Sequence, residues 1–206
     1  GMEDGGVLSV MKHFPGHGST TADSHLELPV INKSLQELKQ YDFAPFQQYI
    51  DAGLGGCLTA HLYIPAIDKR RVPGTMSKAY VTNLLQKKMH FNGLIFTDAL
   101  GMEGAKEVKG SVCVNAFLAG NDILLMPNEV GPEIAAIKQA IAAGKIKQKD
   151  VDARVKKILR FKYALGLDTK PQIDLANIVA DIKAPESKVL QRKTVASAVP
   201  EANSAN

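Results

Sequence analysis

The chain has 206 residues, 45% of them hydrophobic and 22% charged, with a formal charge of +4, which is enough for one well-buried domain. No apolar run is long enough to cross a bilayer, and the lysines and arginines lie along helix faces without the aromatic interleaving of a nucleic-acid patch. Two cysteines, Cys57 and Cys113, sit far apart in apolar stretches, which argues against a disulfide framework. The N-terminal residues lack a signal-peptide pattern, so the compartment stays open.

Four short, near-continuous apolar runs read as buried strands. The first is VLSVMKHF, residues 7–14. A helical pattern follows over residues 34–53, where Ser34 and Glu37 have the spacing of a capping box. GGCLTAHLY, residues 55–63, is the second strand, and the helix after it begins near Ser77, a candidate N-cap. The third strand is GLIFTDAL, residues 93–100, followed by helical SVCVNAFLAG over residues 111–120. The fourth is NDILLMP, residues 121–127, and its helix carries Pro132 in the first turn. An amphipathic stretch over residues 149–167 closes the pattern. Strands alternating with helices imply a parallel sheet.

In parallel α/β folds ligands bind at the carboxyl ends of the strands, and here those ends are polar. The first carries Lys12-His13, the second Thr59-Ala60-His61 and the third Thr97-Asp98. The loop after the first strand adds Pro15, Gly16, His17 and Gly18 and then Asp23-Ser24-His25. Titratable groups on successive strand tips suit an enzyme mouth better than a structural end. His13 and His17 are four residues apart, a spacing that binds zinc on a helix. Pro15 and two glycines argue against a helix, so no metal is expected. Phe14-Pro15 is a candidate cis bond.

These motifs carry a resemblance. KHFPGHG (12–18), ADSH (22–25), LTAHLYIPAID (58–68), FTDALGM (96–102) and AGNDILLMP (119–127), in that order, resemble the catalytic domain of glycoside hydrolase family 3, especially its β-N-acetylglucosaminidase branch. The likeness covers residues 7–167. The resemblance implies that Asp98 is the nucleophile, which Thr97 or nearby backbone donors would keep ionised, and that Asp23 and His25 form the general acid and base. Lys12 and His13 correspond to groups that bind the terminal sugar, with His61 and Met102 as further substrate-binding candidates. The residues alone leave other readings: Asp98 as a helix cap, Asp23 in a surface turn, and His17 and His61 as structural histidines. An imidazole in place of a second carboxylic acid would repel an anionic acceptor less, so phosphorolysis stands beside hydrolysis.

The implied fold is the C-terminal half of a (β/α)8 barrel, about four β-α units in residues 1–167. Residues 168–206 form a tail similar to the linker that leads to a second domain. The family's first four units have no counterpart here, so residues that bind the sugar would be missing while the chemical groups remain. An open half barrel exposes sheet edges and an apolar face, leaving self-association, rearrangement to an open sheet, or cover by its own tail; a homodimer is the preferred expectation. The resulting reading is a retaining, exo-acting β-N-acetylhexosaminidase acting on an N-acetylglucosamine-containing glycan. It needs no cofactor, nucleic acid or membrane. The alternatives are a β-glucosidase of the same family and a non-catalytic carbohydrate-binding or assembly fragment.

Overall fold

The computed structural model describes residues 1–169 except Thr21, Asp23 and His25, together with residues 179–180. The chain divides into two units, Gly1–Asp168 and Thr169–Asn206. The second includes only Thr169, Val179 and Ala180 among the described residues, so the expected linker tail lies almost wholly outside them.

The first unit is built on a parallel sheet in the order β1 (Val10–Phe14), β2 (Gly56–Thr59), β3 (Leu94–Thr97). The β2–β3 register is continuous from Gly56↔Leu94 to Thr59↔Thr97, which sets the two strand tips level. Between β1 and β2 it slips: Met11 faces Cys57 but Phe14 faces Thr59, so Lys12 and His13 form a bulge. A bulge re-aims side chains, and this one falls on the residues expected at the mouth. The Lys12–His13 and Phe14–Pro15 peptides are both cis, the second as the sequence suggested.

The fourth expected strand is reduced to a single parallel bridge, Phe96↔Ile123. The segment still runs beside β3, with the Thr97 N–H donating to the Ile123 carbonyl (3.0 Å) and the Leu100 N–H to that of Leu125 (2.9 Å). Its ladder is interrupted because the Leu125 N–H turns to the Thr97 hydroxyl at 2.8 Å instead of a carbonyl.

Helices follow each strand. Ser34 and Glu37 make the expected capping box at the start of α1 (Leu35–Glu37). The single helix expected over residues 34–53 is divided: a π-helical turn, Leu38–Asp42, separates α1 from α2 (Ala44–Asp51). Pro45 has no N–H to continue an α-helical ladder, and the preceding turn widens so that the Phe43 N–H reaches the Leu38 carbonyl. After β2, Ser77 accepts the Ala79 N–H (3.2 Å) at the start of a π-helix, Ala79–Lys88. The later helices are α3 (Val112–Ala119), capped by Ser111 and ended by Gly120 at φ 120°, α4 (Val130–Ala142) and α5 (Gln148–Ala164). None of the described helices is long and apolar enough to cross a membrane.

The main core lies between the sheet and α1, α2 and the π-helix, around Phe14, Leu38, Phe46, Tyr80, Leu85 and Ile95. Phe14 packs edge-on against Phe46 at 5.3 Å between ring centroids. A second cluster, Val114, Phe117, Ala140 and Ile146, joins α3 to α4 and α5. The first core holds the three strands through Phe14, Cys57 and Ile95, while the second joins the later helices.

Candidate active site

Asp98 follows β3 directly and is half-buried. Its N–H donates to the Thr59 carbonyl (2.9 Å), fixing it against the tip of β2. One carboxylate oxygen accepts the Ala99 N–H at 2.9 Å. The expected support from Thr97 takes a different form, since its hydroxyl is engaged by the Leu125 N–H. The helix-cap reading has no structural counterpart, because the next helical turn, Glu103–Ala105, has Met102 at its N-cap and α3 has Ser111.

Beneath Asp98 lies a buried polar network. The Thr59 hydroxyl donates to Asn121 Oδ1 (2.9 Å), while the Asn121 amide nitrogen donates to the carbonyls of Thr75 (2.8 Å) and Ala116 (2.7 Å). The Thr75 hydroxyl donates to the same Thr59 carbonyl that receives the Asp98 N–H. Thr59, Thr75 and Asn121 are all buried, so each polar atom needs such a partner. The network ties β2, the loop after it, α3 and the fourth-strand segment into one support under the carboxylate.

His61 is buried, with Nε2 3.0 Å from the Ala99 carbonyl. Ala99 thus meets Asp98 through its N–H and His61 through its C=O. Met102 is also buried, and its N–H donates to that carbonyl as well. Both residues therefore pack against the Asp98 loop. Lys12 is exposed and His13 half-buried at the β1 bulge, with the His13 and His17 rings edge to face at 6.0 Å. Among the described residues no group of three His, Cys, Asp or Glu side chains is placed to hold a metal ion.

Asp23 and His25 lie outside the described residues. Ser24 between them is buried, and its carbonyl accepts the Gly104 N–H at 3.2 Å. A Cβ on Gly104 would stand 2.9 Å from the carbonyl oxygens of Ser24 and Glu27 and 3.2 Å from His61 Cβ. Only glycine lets the loop after Asp98 approach this closely. The Asp98 loop, His61 and the Ser24 backbone therefore converge at one place.

The sequence reading missed the fasteners of these loops. Asp42 accepts Ser19 Oγ (2.9 Å) and Lys33 Nζ (2.7 Å), anchoring the loop after β1 to the π-helical turn. Arg71 grips Glu107 through two nitrogens (3.0 and 3.3 Å), joining the loop after β2 to the one after β3. Neither pair has a sequence signal, since the partners are 9 to 36 residues apart with no periodic relation.

Residues 1–161 match the glycosyl hydrolase family 3 N terminal domain. The chain belongs to this family. It is 31% identical to a beta-hexosaminidase A from Pseudoalteromonas piscicida over 221 residues, covering 97% of this chain and 36% of that protein. A family 3 beta-N-acetylglucosaminidase structure from Paenibacillus sp. str. FPU-7 superimposes with a TM-score of 0.80 at 30% identity, over 84% of this chain and 34% of that one. A beta-glucoside phosphorylase structure matches with a TM-score of 0.80 at 26% identity, over 91% and 36%. The chain thus spans about a third of the length of these relatives. Its parallel sheet and flanking helices are part of the family's barrel-like α/β fold.

Proposed function

We propose that this chain carries the chemical groups of a retaining, exo-acting glycosidase that removes terminal β-linked N-acetylhexosamine from a carbohydrate. The observation that supports this most is the seating of Asp98, a carboxylate at a strand tip held by Thr59 and Ala99, on a loop whose Gly104 N–H donates to the Ser24 carbonyl. Asp98 attacks the anomeric carbon and the leaving oxygen departs, giving a glycosyl-enzyme. His25, oriented by Asp23, donates a proton to that oxygen and then takes one from the water that releases the sugar. Lys12 and His13, re-aimed by the bulge, hold ring hydroxyls, and His61 and Met102 shape the pocket from behind the Asp98 loop. Residues 1–167 form the partial catalytic domain and 168–206 a linker, and a second copy of the chain is the partner.

The hexosaminidase relatives and the ADSH motif favour N-acetylhexosamine over glucose. A non-catalytic carbohydrate-binding role is the second reading. Nitrophenol release from aryl β-N-acetylglucosaminide and aryl β-glucoside separates the three. Faster release from the first supports the proposal, faster release from the second selects a glucosidase, and calorimetric binding of N-acetylglucosamine without release selects the binding role.

A further inference from the structure

Asp42 has no part in the proposed chemistry, yet its carboxylate is drawn out of water, with a side chain only 6% exposed. It is the last residue of the π-helical turn Leu38–Asp42, which Leu38 and Phe43 seat in the main core and which the Phe43 N–H closes on the Leu38 carbonyl at 2.8 Å. A π-turn holds one residue more than an α-turn, so it re-aims the side chain at its end, and such turns recur at functional sites. A carboxylate in this position needs partners for its oxygens, and both are engaged. One accepts the Ser19 hydroxyl at 2.9 Å, the other the Lys33 ammonium at 2.7 Å.

These two partners bracket residues 20–32, the stretch of chain that includes Asp23 and His25. A single side chain therefore holds both ends of that stretch, which is how surface loops with closely spaced ends are fastened. A further tie lies between them, where the Gly104 N–H of the Asp98 loop donates to the Ser24 carbonyl at 3.2 Å. Asp42 also supports the turn after β1. Gly16 lies at φ 131°, and a Cβ there would stand 3.0 Å from Asp42 Cβ. The Gly16 N–H donates to the His13 carbonyl at 2.8 Å, so the turn resting on Asp42 is the one that follows the Lys12–His13 bulge.

We propose that Asp42 is a positioning residue for the general acid and base. By holding both ends of the stretch with Asp23 and His25, it sets the reach of His25 to the leaving oxygen. The proposal rests on the glycosidase reading. A general acid contributes on the order of 100- to 10,000-fold, and only within hydrogen-bond reach of the proton it moves. Releasing an end of a closed stretch multiplies its conformations, which lowers the fraction in reach. Asp98 keeps its own supports at Thr59 and Ala99, so the loss should fall on proton transfer and spare nucleophilic attack.

Two aryl β-N-acetylglucosaminides separate these steps through kcat/KM, which reports formation of the glycosyl-enzyme. A phenol leaving group needs the proton, whereas 2,4-dinitrophenolate departs without it. Asp42→Ala is expected to lower kcat/KM about 30-fold for the phenyl glycoside and less than about threefold for the dinitrophenyl one. Ser19→Ala, at an exposed position that leaves the fold intact, should shift the two in the same sense by about threefold and under twofold, and should add nothing in the Asp42→Ala background. Equal losses on both glycosides in the two variants would mark general damage and overturn the proposal. Amide exchange gives a readout without substrate: residues 20–32 should exchange faster in both variants than in the wild type, with β3 unchanged. Unaltered exchange over 20–32 overturns the tether whatever the kinetics. A wild type that turns over neither glycoside is a failure of the glycosidase reading, and exchange then decides the tether by itself.

Discussion

Asp98 is tied by its backbone N–H to the carbonyl of Thr59 at 2.9 Å, so the tip of β3 is fixed to the tip of β2 at the position of the proposed nucleophile. Positioning contributes much of an enzyme's rate, and a misplacement of about 1 Å can cost on the order of 100-fold. The supports under Thr59 therefore matter for chemistry as well as for stability.

Asn121 is the first of these supports to test. Asn121→Ala leaves the Thr75 and Ala116 carbonyls and the Thr59 hydroxyl with fewer partners in a buried place. A loss of about 3 kcal/mol is expected from the urea midpoint. In samples that remain folded, kcat should fall more than KM rises, because Asn121 acts through Thr59 and touches no substrate.

Arg154 on α5 closes the C-terminal end of α3. Its guanidinium donates to the carbonyls of Asn121 (2.8 Å) and Phe117 (2.9 Å) and lies 3.7 Å from the Phe117 ring centroid. Cations are favoured at helix C-termini, where carbonyls are unpaired. Burial lowers the Arg154 pKa, and Asp122 and Asp150 counter this in part. Arg154→Ala should destabilise the fold by about 3 kcal/mol. Lysine, a point charge without the planar fork, should recover less than half, as read by thermal and urea unfolding.

Asp68 predicts a pH dependence. Burial would raise its carboxyl, but hydrogen bonds from the Arg70 side chain, the Ser77 hydroxyl and the Arg70 N–H outweigh it and hold the pKa below the usual value. A depressed folded pKa contributes stability that is fully present above the unfolded value of about 3.9. That stability is lost as pH falls through the folded value. Arg70 is largely exposed, so the contribution is about 1 kcal/mol. Urea midpoints between about pH 2 and 6 should fall less steeply on acidification in Asp68→Asn than in the wild type, and equal slopes would contradict this assignment.

Both cysteines should resist alkylation in the native state. Burial raises the Cys57 thiol well above its usual value, and burial with the nearby Glu133 carboxylate pushes Cys113 up to about 12. Mass spectrometry after iodoacetamide at about pH 8 should find neither labelled natively and both labelled in guanidinium.

The sequence revealed what local chemistry specifies. Ser34 and Glu37 announced a helix start, Gly120 a helix end, and the apolar runs located the three regular strands found among the described residues. The bulge at Lys12 and His13 escaped notice because register depends on the neighbouring strand. The fourth strand was overread for a related reason: its apolar pattern is strand-like, but one hydroxyl, on Thr97, diverts the ladder at Leu125. The place of Asp98 directly after β3 was legible because the apolar run GLIFT ends just before it. Thr59, Thr75 and Asn121 were not, because contact across three elements leaves no periodic trace in the chain.

The most direct test of the central claim is nitrophenol release from the aryl β-N-acetylglucosaminide by the folded chain, measured beside Asp98→Ala with circular dichroism on both. Turnover by the wild type that is abolished in Asp98→Ala, with both spectra alike, is the predicted result. Equal turnover in the two proteins, or none from a folded wild type, would contradict the claim that Asp98 is the nucleophile of a working glycosidase site in this chain.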